Sequence, residues 1–343
     1  MQTIISKVKN FRKQHFLNTK NEAEFAFVGI GYHSLTNLYP ILNFYRIPIK
    51  YIVTSSRKNA DKISKNFPHS IGTNRLQDVL NDPDIKGVLI SANPSSHLDL
   101  ASEVLKAGKN VFVEKPPCQN LEELHQLIRK VEENQRTCLV GLQKRYAPAN
   151  ILLKKKMKAI RSYNYRFITG GYPEGNPITD LFIHPIDLCI WLFGEGKIKS
   201  LLKRRTKSQI TFFLQIQHAN GIIGSVELST CGSWQHIEET LSIQTKLGLF
   251  SIKDSTDLSF IPQSNSILGM PKEKLFAASR IEQTLAARVN YSSSLYDNQL
   301  YTAGFFSEVK TFIDCCEGRT SQNESAPFTL LNTYQILDQL NNS

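Results

Sequence analysis

Apolar and polar positions follow two different rhythms along the chain, and the rhythm changes near residue 145. Before that point, short apolar runs alternate with segments of helical period. "FAFVGIG" (25–31) is an apolar run ended by glycines, and 34–46 has helical potential interrupted by Pro40. "IKYIVTS" (49–55) predicts a strand, the polar 56–67 a helix, and Asn74–Leu80 a short helix before the buried strand "DIKGVLISA" (84–92). In 95–109, Leu98, Ala101, Val104 and Leu105 share a helical face, and Gly108 stops the helix. "NVFVE" (110–114) is the next strand, 120–135 a strongly amphipathic helix, and "TCLVGLQ" (137–143) a further strand. Strands and helices alternating in this way predict a parallel, doubly wound sheet.

Beyond residue 145 the segments 161–169, 198–207, 209–218, 221–230, 240–246 and 247–253 carry β-branched and aromatic residues with turns between them. Asn220-Gly221 is a hairpin signal. This half predicts a mostly antiparallel sheet with helices at 306–317 and 327–340. Residues 255–304 give the weakest pattern, and one helix is expected near 272–288.

The chain has 343 residues, enough for two cores, and is 41% hydrophobic and 21% charged, as in soluble globular proteins. No apolar run approaches the ~18–20 residues that span a bilayer. Residues 1–22 form a basic extension without the apolar stretch of a secretory signal. The six cysteines follow no C-x-x-C or zinc-ligand spacing, so no metal is expected and reduced thiols in a cytoplasmic protein fit best. The net charge of +11, clustered at 154–158 and 203–205, suits nucleic acid, an anionic membrane, an anionic small substrate or a solvated basic face. No aromatic interleaving and no nucleic-acid motif accompany it, so no specific nucleic-acid partner is expected.

Four stretches carry chemistry. Gly29 and Gly31 directly follow the first strand; one allows a tight turn, the other lets backbone approach a pyrophosphate, and Ser34 stands at the third glycine position. The second strand ends in Ser55, Ser56, Arg57 and Lys58 with no acid, which suits a 2′-phosphate and favours NADP over NAD. "VFVEKPP" (111–117) leaves a buried strand through Glu114, Lys115 and two prolines, either as a charged turn or to deliver Lys115 to a ligand. "TDLFIHPIDLCIWLFG" (179–194) is apolar on most sides, with Asp180, His184 and Asp187 on one face if helical; Pro185 then belongs in the first turn or marks a distortion.

"FVGIG", "ISANPSSH", "AGKNVFVEKP", "VGLQKRYAP", "HPIDLCIWLFG" and "GFFSEVKTFIDCCEGR", in this order, resemble the Gfo/Idh/MocA oxidoreductases, the glucose–fructose oxidoreductase and inositol dehydrogenase family. The resemblance covers about 23–341. It implies a fold of class α/β: an N-terminal Rossmann domain (23–144) and a C-terminal α+β domain (145–343) with a large, mostly antiparallel open sheet. The last helix can return to the first domain, and the sheet commonly forms the oligomer interface. The implied activity is hydride transfer between nicotinamide and a hydroxyl-bearing carbon of a sugar, polyol or related compound. The expected cofactor contacts are Gly29, Gly31, Tyr32, His33, Ser55, Ser56, Arg57, Asn93, Pro94, His97, Glu114 and Lys115.

Lys115, Asp180 and His184 are the catalytic candidates. A near-neutral histidine suits removal of the hydroxyl proton. Asp180 would orient the imidazole, and Lys115 would polarise the substrate oxygen or share the proton. Arg145 and Tyr146 would reach substrate or pack the domain junction. The loop "YPEGNP" (172–177) departs from the family and should shape substrate choice. The basic charge points toward an anionic or nucleotide-linked sugar. Two alternatives remain open: a glycosidase using tightly held nicotinamide transiently, and a non-catalytic dinucleotide-binding regulator.

Overall fold

Six of the apolar runs pair side by side. They are β1 (Glu24–Val28), β2 (Ile49–Val53), β3 (Ile71–Thr73), β4 (Ile85–Ile90), β5 (Asn110–Glu114) and β6 (Cys138–Gly141), all parallel, in the order β3-β2-β1-β4-β5-β6. The computed structural model describes residues 4–10, 21–263, 266–276, 281–287 and 298–343. Helices cover both faces of this sheet, which is why its strands are apolar on both sides: Phe25, Ala26 and Phe27 are all fully buried. The chain order reverses between β1 and β4, which opens a crevice at the carboxyl ends of the strands.

β3 has only three residues, Ile71, Gly72 and Thr73, too few to print an apolar pattern, and no strand was expected there. The interruption expected at Pro40 takes the form of a π-helical stretch, Ser34–Leu38, inside a helix that runs over 32–44.

The second sheet contains β7 (Ile160–Ile168), β8 (Gly196–Arg205), β9 (Ile210–His218), β10 (Ile223–Ser229), β11 (Glu238–Thr245), β12 (Gly248–Lys253), β13 (Asp257–Pro262) and β14 (Gln283–Ala286). Its order is β14-β13-β12-β11-β7-β10-β9-β8, antiparallel except for the parallel pair β7–β10. The helix expected near 272–288 is corrected here. Only Lys272–Leu275 is helical, and Gln283–Ala286 adds to the edge of β13; 277–280 and 288 lie outside the described residues. Thr284 and Leu285 in an extended edge follow β-propensity rather than a helical stripe.

One face of this sheet is covered. Tyr163, Tyr165 and Phe167 point inward from β7 while Asn164 and Arg166 point outward. The helix Ile183–Phe193 lies on the inner face, with Phe193 stacked on Tyr163 at 4.0 Å between ring centroids. Two C-terminal helices then tie the halves together. Phe305–Cys316 sits under the first sheet, its Phe312 ring 5.8 Å from Phe112 of β5. Leu331–Asn341 returns to the loop after β5, where Tyr334 Oη donates to the Cys118 carbonyl at 2.7 Å. The end of β5 is thus held against the helix that carries His184. Among the described residues no helix is long and apolar enough to cross a membrane.

Candidate active site

The turn after β1 is set by close approach. Gly29 has φ +114°, and a Cβ there would lie 2.0 Å from the Ser91 carbonyl oxygen on the neighbouring β4 loop. Only glycine allows β1 and β4 to meet this closely while leaving the crevice open. Gly31 accepts the first helical hydrogen bond, from Leu35 N, and its own N–H donates to Ser34 Oγ at 2.8 Å. Ser34 therefore caps the turn at the third glycine position. The first N–H groups of helix 32–44 have no partner within the helix and form an anion cradle beside exposed Tyr32. These residues fit a dinucleotide pyrophosphate.

At the end of β2, Ser55, Arg57 and Lys58 are exposed and Ser56 is half-buried. Ser56 is the N-cap of Arg57–Ser64, with no side-chain cap bond. Arg57 Nε donates to Asp61 Oδ1 at 3.0 Å, one turn along the helix. After β4, Asn93 caps the 3₁₀ turn Pro94–Ser96 by accepting from Ser95 N. His97 is buried between two carbonyls, Pro116 (2.8 Å) and Ala92 (3.1 Å), and so fastens the β4 exit to the β5 exit. Burial holds its imidazole below the ordinary histidine range.

Around β5 the polar groups become dense. Asn37 Nδ2 donates to His33 Nδ1, which leaves the His33 Nε2–H to donate to Glu114 Oε1 at 3.2 Å. Burial favours the neutral form of Glu114, but the bond from His33 and the charges of His33, Lys115 and His97 outweigh it and hold the carboxyl below its usual range. Lys115 leaves the strand through a cis peptide to Pro116, and its Nζ donates across to the Asp180 carbonyl at 2.8 Å. Burial lowers its pKa against the pull of Glu114 and Asp180.

The segment 177–193 is not one helix. Pro177–Asp180 forms a single turn, and regular helix resumes at Ile183. Pro185 is its third residue, where a missing N–H costs no intrahelical bond. This break divides the polar face expected from the sequence. Asp180 and His184 stay near Lys115, and Asp187 turns away.

Burial first, then the nearby charges of Lys115 and Lys144, push the His184 pKa well below the histidine norm. Its Nδ1 is buried with no hydrogen-bond partner among the described residues. The Asp180 carboxylate accepts from Thr179 Oγ1 rather than from the imidazole, so the expected orienting bond is not formed in this structure.

Arg145 and Tyr146 occupy different ground. Arg145 is about 2% exposed; Nε and Nη2 donate to the two Asp187 oxygens at 2.8 and 2.5 Å, and Nη1 donates to the Glu324 carbonyl and to Thr329 Oγ1. Tyr146 Oη meets Ser325 Oγ at 2.7 Å. Both pack the junction between the halves, the second of the two roles the sequence allowed.

Lys144 and Glu239 at the cleft were not anticipated, and Tyr172 belongs to the 172–177 loop expected to shape substrate choice. Lys144 forms an ion pair with Glu239 and lies 5.3 Å from the Phe167 ring centroid. Buried Glu239 also accepts from Tyr165 Oη (2.6 Å) and Ser255 Oγ (3.1 Å). Tyr172 stands beside Asp180; burial, then Asp180 and Glu174, push its hydroxyl up to about 12. The available signal for Lys144 was position, since it lies three residues past the carboxyl end of β6.

Known proteins match this arrangement. Residues 23–142 match the family described as "Oxidoreductase family, NAD-binding Rossmann fold". The scyllo-inositol 2-dehydrogenase (NAD(+)) of Bacillus subtilis is 33% identical over 194 residues, 50% of this chain and 57% of that protein. The chain spans 33–57% of the length of such curated relatives. A solved dehydrogenase from Chromobacterium violaceum superimposes with TM-score 0.80 over 94% of this chain and 95% of its own, at 19% identity. The UDP-N-acetylglucosamine 3-dehydrogenase GnnA of Acidithiobacillus ferrooxidans gives 0.71 over 92% and 95%, at 15% identity. Over its nucleotide-binding part, the chain is thus similar to the Gfo/Idh/MocA oxidoreductases.

Proposed function

We propose that the protein is an NADP-preferring oxidoreductase acting on a hydroxyl-bearing carbon of a sugar or polyol, with Lys115, Asp180 and His184 as its site. One observation carries this reading: Lys115, at the carboxyl end of β5, bonds across the cleft to Asp180 beside a histidine kept neutral by its surroundings. The turn 29–34, Ser55–Arg57, Asn93–His97 and Glu114 would hold the cofactor. When bound, nicotinamide supplies the hydride acceptor, or the donor in reverse.

The chain's own groups manage the proton. Neutral His184 accepts it from the substrate hydroxyl, and the Lys115 ammonium stabilises the oxygen as negative charge develops. Glu114 and the Asp180 carbonyl keep the ammonium in place. His184 returns the proton in the opposite direction. The preference for NADP rests on Ser55, Ser56 and Arg57 standing where a carboxylate would repel a 2′-phosphate.

Division into two domains near residue 145, a cytoplasmic location and self-association through the outer face of the second sheet complete the proposal. That face exposes Leu202, Phe213 and Ile223 around the Arg166 pairs with Glu227 and Glu238. Screening free sugars, inositols, sugar phosphates and nucleotide sugars for formation of reduced nicotinamide tests the activity. Turnover with NADP and none in the Lys115→Met protein is expected; equal turnover in both overturns the site.

A further inference from the structure

A sizeable cavity lies outside the Lys115 cleft. It has a volume of about 700 Å³ and opens between the 171–178 segment and the β8–β9 turn. That size falls within the range of small-molecule sites, roughly 300–1,000 Å³. Its walls include Tyr172, Asn176, Arg205, Lys207, Gln209 and Asn341, and no carboxylate side chain lines it. Neither Arg205 nor Lys207 forms an ion pair among the described residues. Both cations are exposed and carry no counter-charge among the described residues, so they remain available to an anion entering the hollow.

The turn that presents them is already ordered. Thr206 N donates to the Gln209 carbonyl at 2.9 Å, and Gln209 N donates back to Thr206 Oγ1 at 3.2 Å. On the opposite wall, Asn176 Nδ2 donates to Asn341 Oδ1 at 3.0 Å. An ordered donor set loses little freedom when a ligand arrives.

The cavity also adjoins the site chemistry. Gly175 lines it, and a Cβ on Gly175 would lie 2.3 Å from Asp180 Oδ2. The thickness of one glycine therefore separates the hollow from the residue whose carbonyl holds Lys115. Tyr172 lines the hollow as well and touches Asp180.

We propose that this cavity binds the phosphoryl arm of the substrate, so that the sugar oxidised at Lys115 and His184 is a sugar phosphate or a sugar nucleoside diphosphate. Arg205 would engage phosphate oxygens through its paired donors, Lys207 as a point charge, and Asn176, Gln209 and Asn341 as neutral partners. The inference rests on the oxidoreductase reading of the Lys115 site.

The test uses the full chain saturated with NADP, so that the dinucleotide's own phosphate cradle is filled. Inorganic pyrophosphate and UDP are titrated by calorimetry into the wild type and into Arg205→Ala/Lys207→Ala. Expected is binding to the wild type, weakened about tenfold or more in the double variant and by added salt, with NADP affinity the same in both. UDP binding much more tightly than pyrophosphate identifies a nucleoside diphosphate arm; equal binding identifies a sugar phosphate. No binding, or equal binding by the two proteins, overturns the proposal. Turnover of neutral sugars alone, with no pyrophosphate binding, also overturns it while leaving the oxidoreductase reading intact. Binding at Arg205 and Lys207 together with unchanged turnover in Lys115→Met overturns the Lys115 site instead.

Discussion

Two polar centres meet the helix Ile183–Phe193 within one turn of each other, and they are built oppositely. At Asp187, both carboxylate oxygens accept from Arg145, Thr333 Oγ1 adds a third donor at 3.3 Å, and the pair is sealed to 2–3% exposure. At His184, the ring has a buried, partnerless nitrogen and stands among like charges beside a lysine whose own charge is disfavoured by burial. The first arrangement satisfies every donor and acceptor and holds the two halves together. The second leaves bonding capacity unspent, which suits the proton exchange proposed for His184. The difference separates scaffold from site.

Substitutions sharpen this contrast. The largest effect is expected for Lys115→Met, which should lower kcat by roughly 10³-fold or more while leaving the melting temperature near the wild type. Arg145→Met should do the reverse in kind. It strands the buried Asp187 carboxylate and should cost about 3–5 kcal/mol of stability, read by chemical denaturation, with the kcat of the remaining folded protein little changed. If Arg145→Met instead abolished turnover in fully folded protein, the division between scaffold and site would fail.

Smaller effects follow at the margins. Arg57→Ala should weaken NADPH binding by about tenfold, roughly 1.4 kcal/mol, and leave NADH binding unchanged, measured by nucleotide fluorescence. Equal losses for both nucleotides would remove the argument for NADP.

Glu308 offers the least obvious test. It is fully buried under the first sheet, its carboxyl oxygens lack partners among the described residues, and burial together with Glu114 pushes its pKa well above 4.5. A carboxyl raised in the folded state stabilises most below its unfolded pKa and loses that contribution as pH rises through the folded value. Glu308→Gln should therefore match wild-type stability in acid and exceed it increasingly toward alkaline pH, in melting curves taken across that range.

How much of this was legible in the sequence depends on what specifies each part. The first sheet is buried on both faces, so its strands print as apolar runs and its order follows from alternation. β3 and β14 are short edge strands whose pairing is set by neighbours, and neither left a pattern. Lys115 was legible because two prolines and an acid at a strand end are unusual. Arg145 was ambiguous, since its partner Asp187 lies on a distant segment and spacing cannot show which way a guanidinium turns. The break after Asp180 redistributed the expected polar face for a similar reason: Pro185 announced a helix start but not where the preceding turn would end. Lys144 passed unnoticed because Glu239, which holds it, comes from β11. Glu308 had a local signal that went unused, an acid within the apolar stripe of Phe305, Val309 and Phe312.

The most direct test of the proton chemistry assigned to His184 and Lys115 is the pH dependence of kcat/KM for alcohol oxidation, wild type against His184→Ala, with the sugar that the nicotinamide screen identifies. The wild type should lose activity in acid with an apparent pKa below the 6.5 of an ordinary histidine, because burial and the cations around the ring disfavour its protonated form. His184→Ala should be slower by roughly 10²–10⁴-fold and lack that acid limb. An unchanged acid limb in the variant, at undiminished rate, would contradict the assignment.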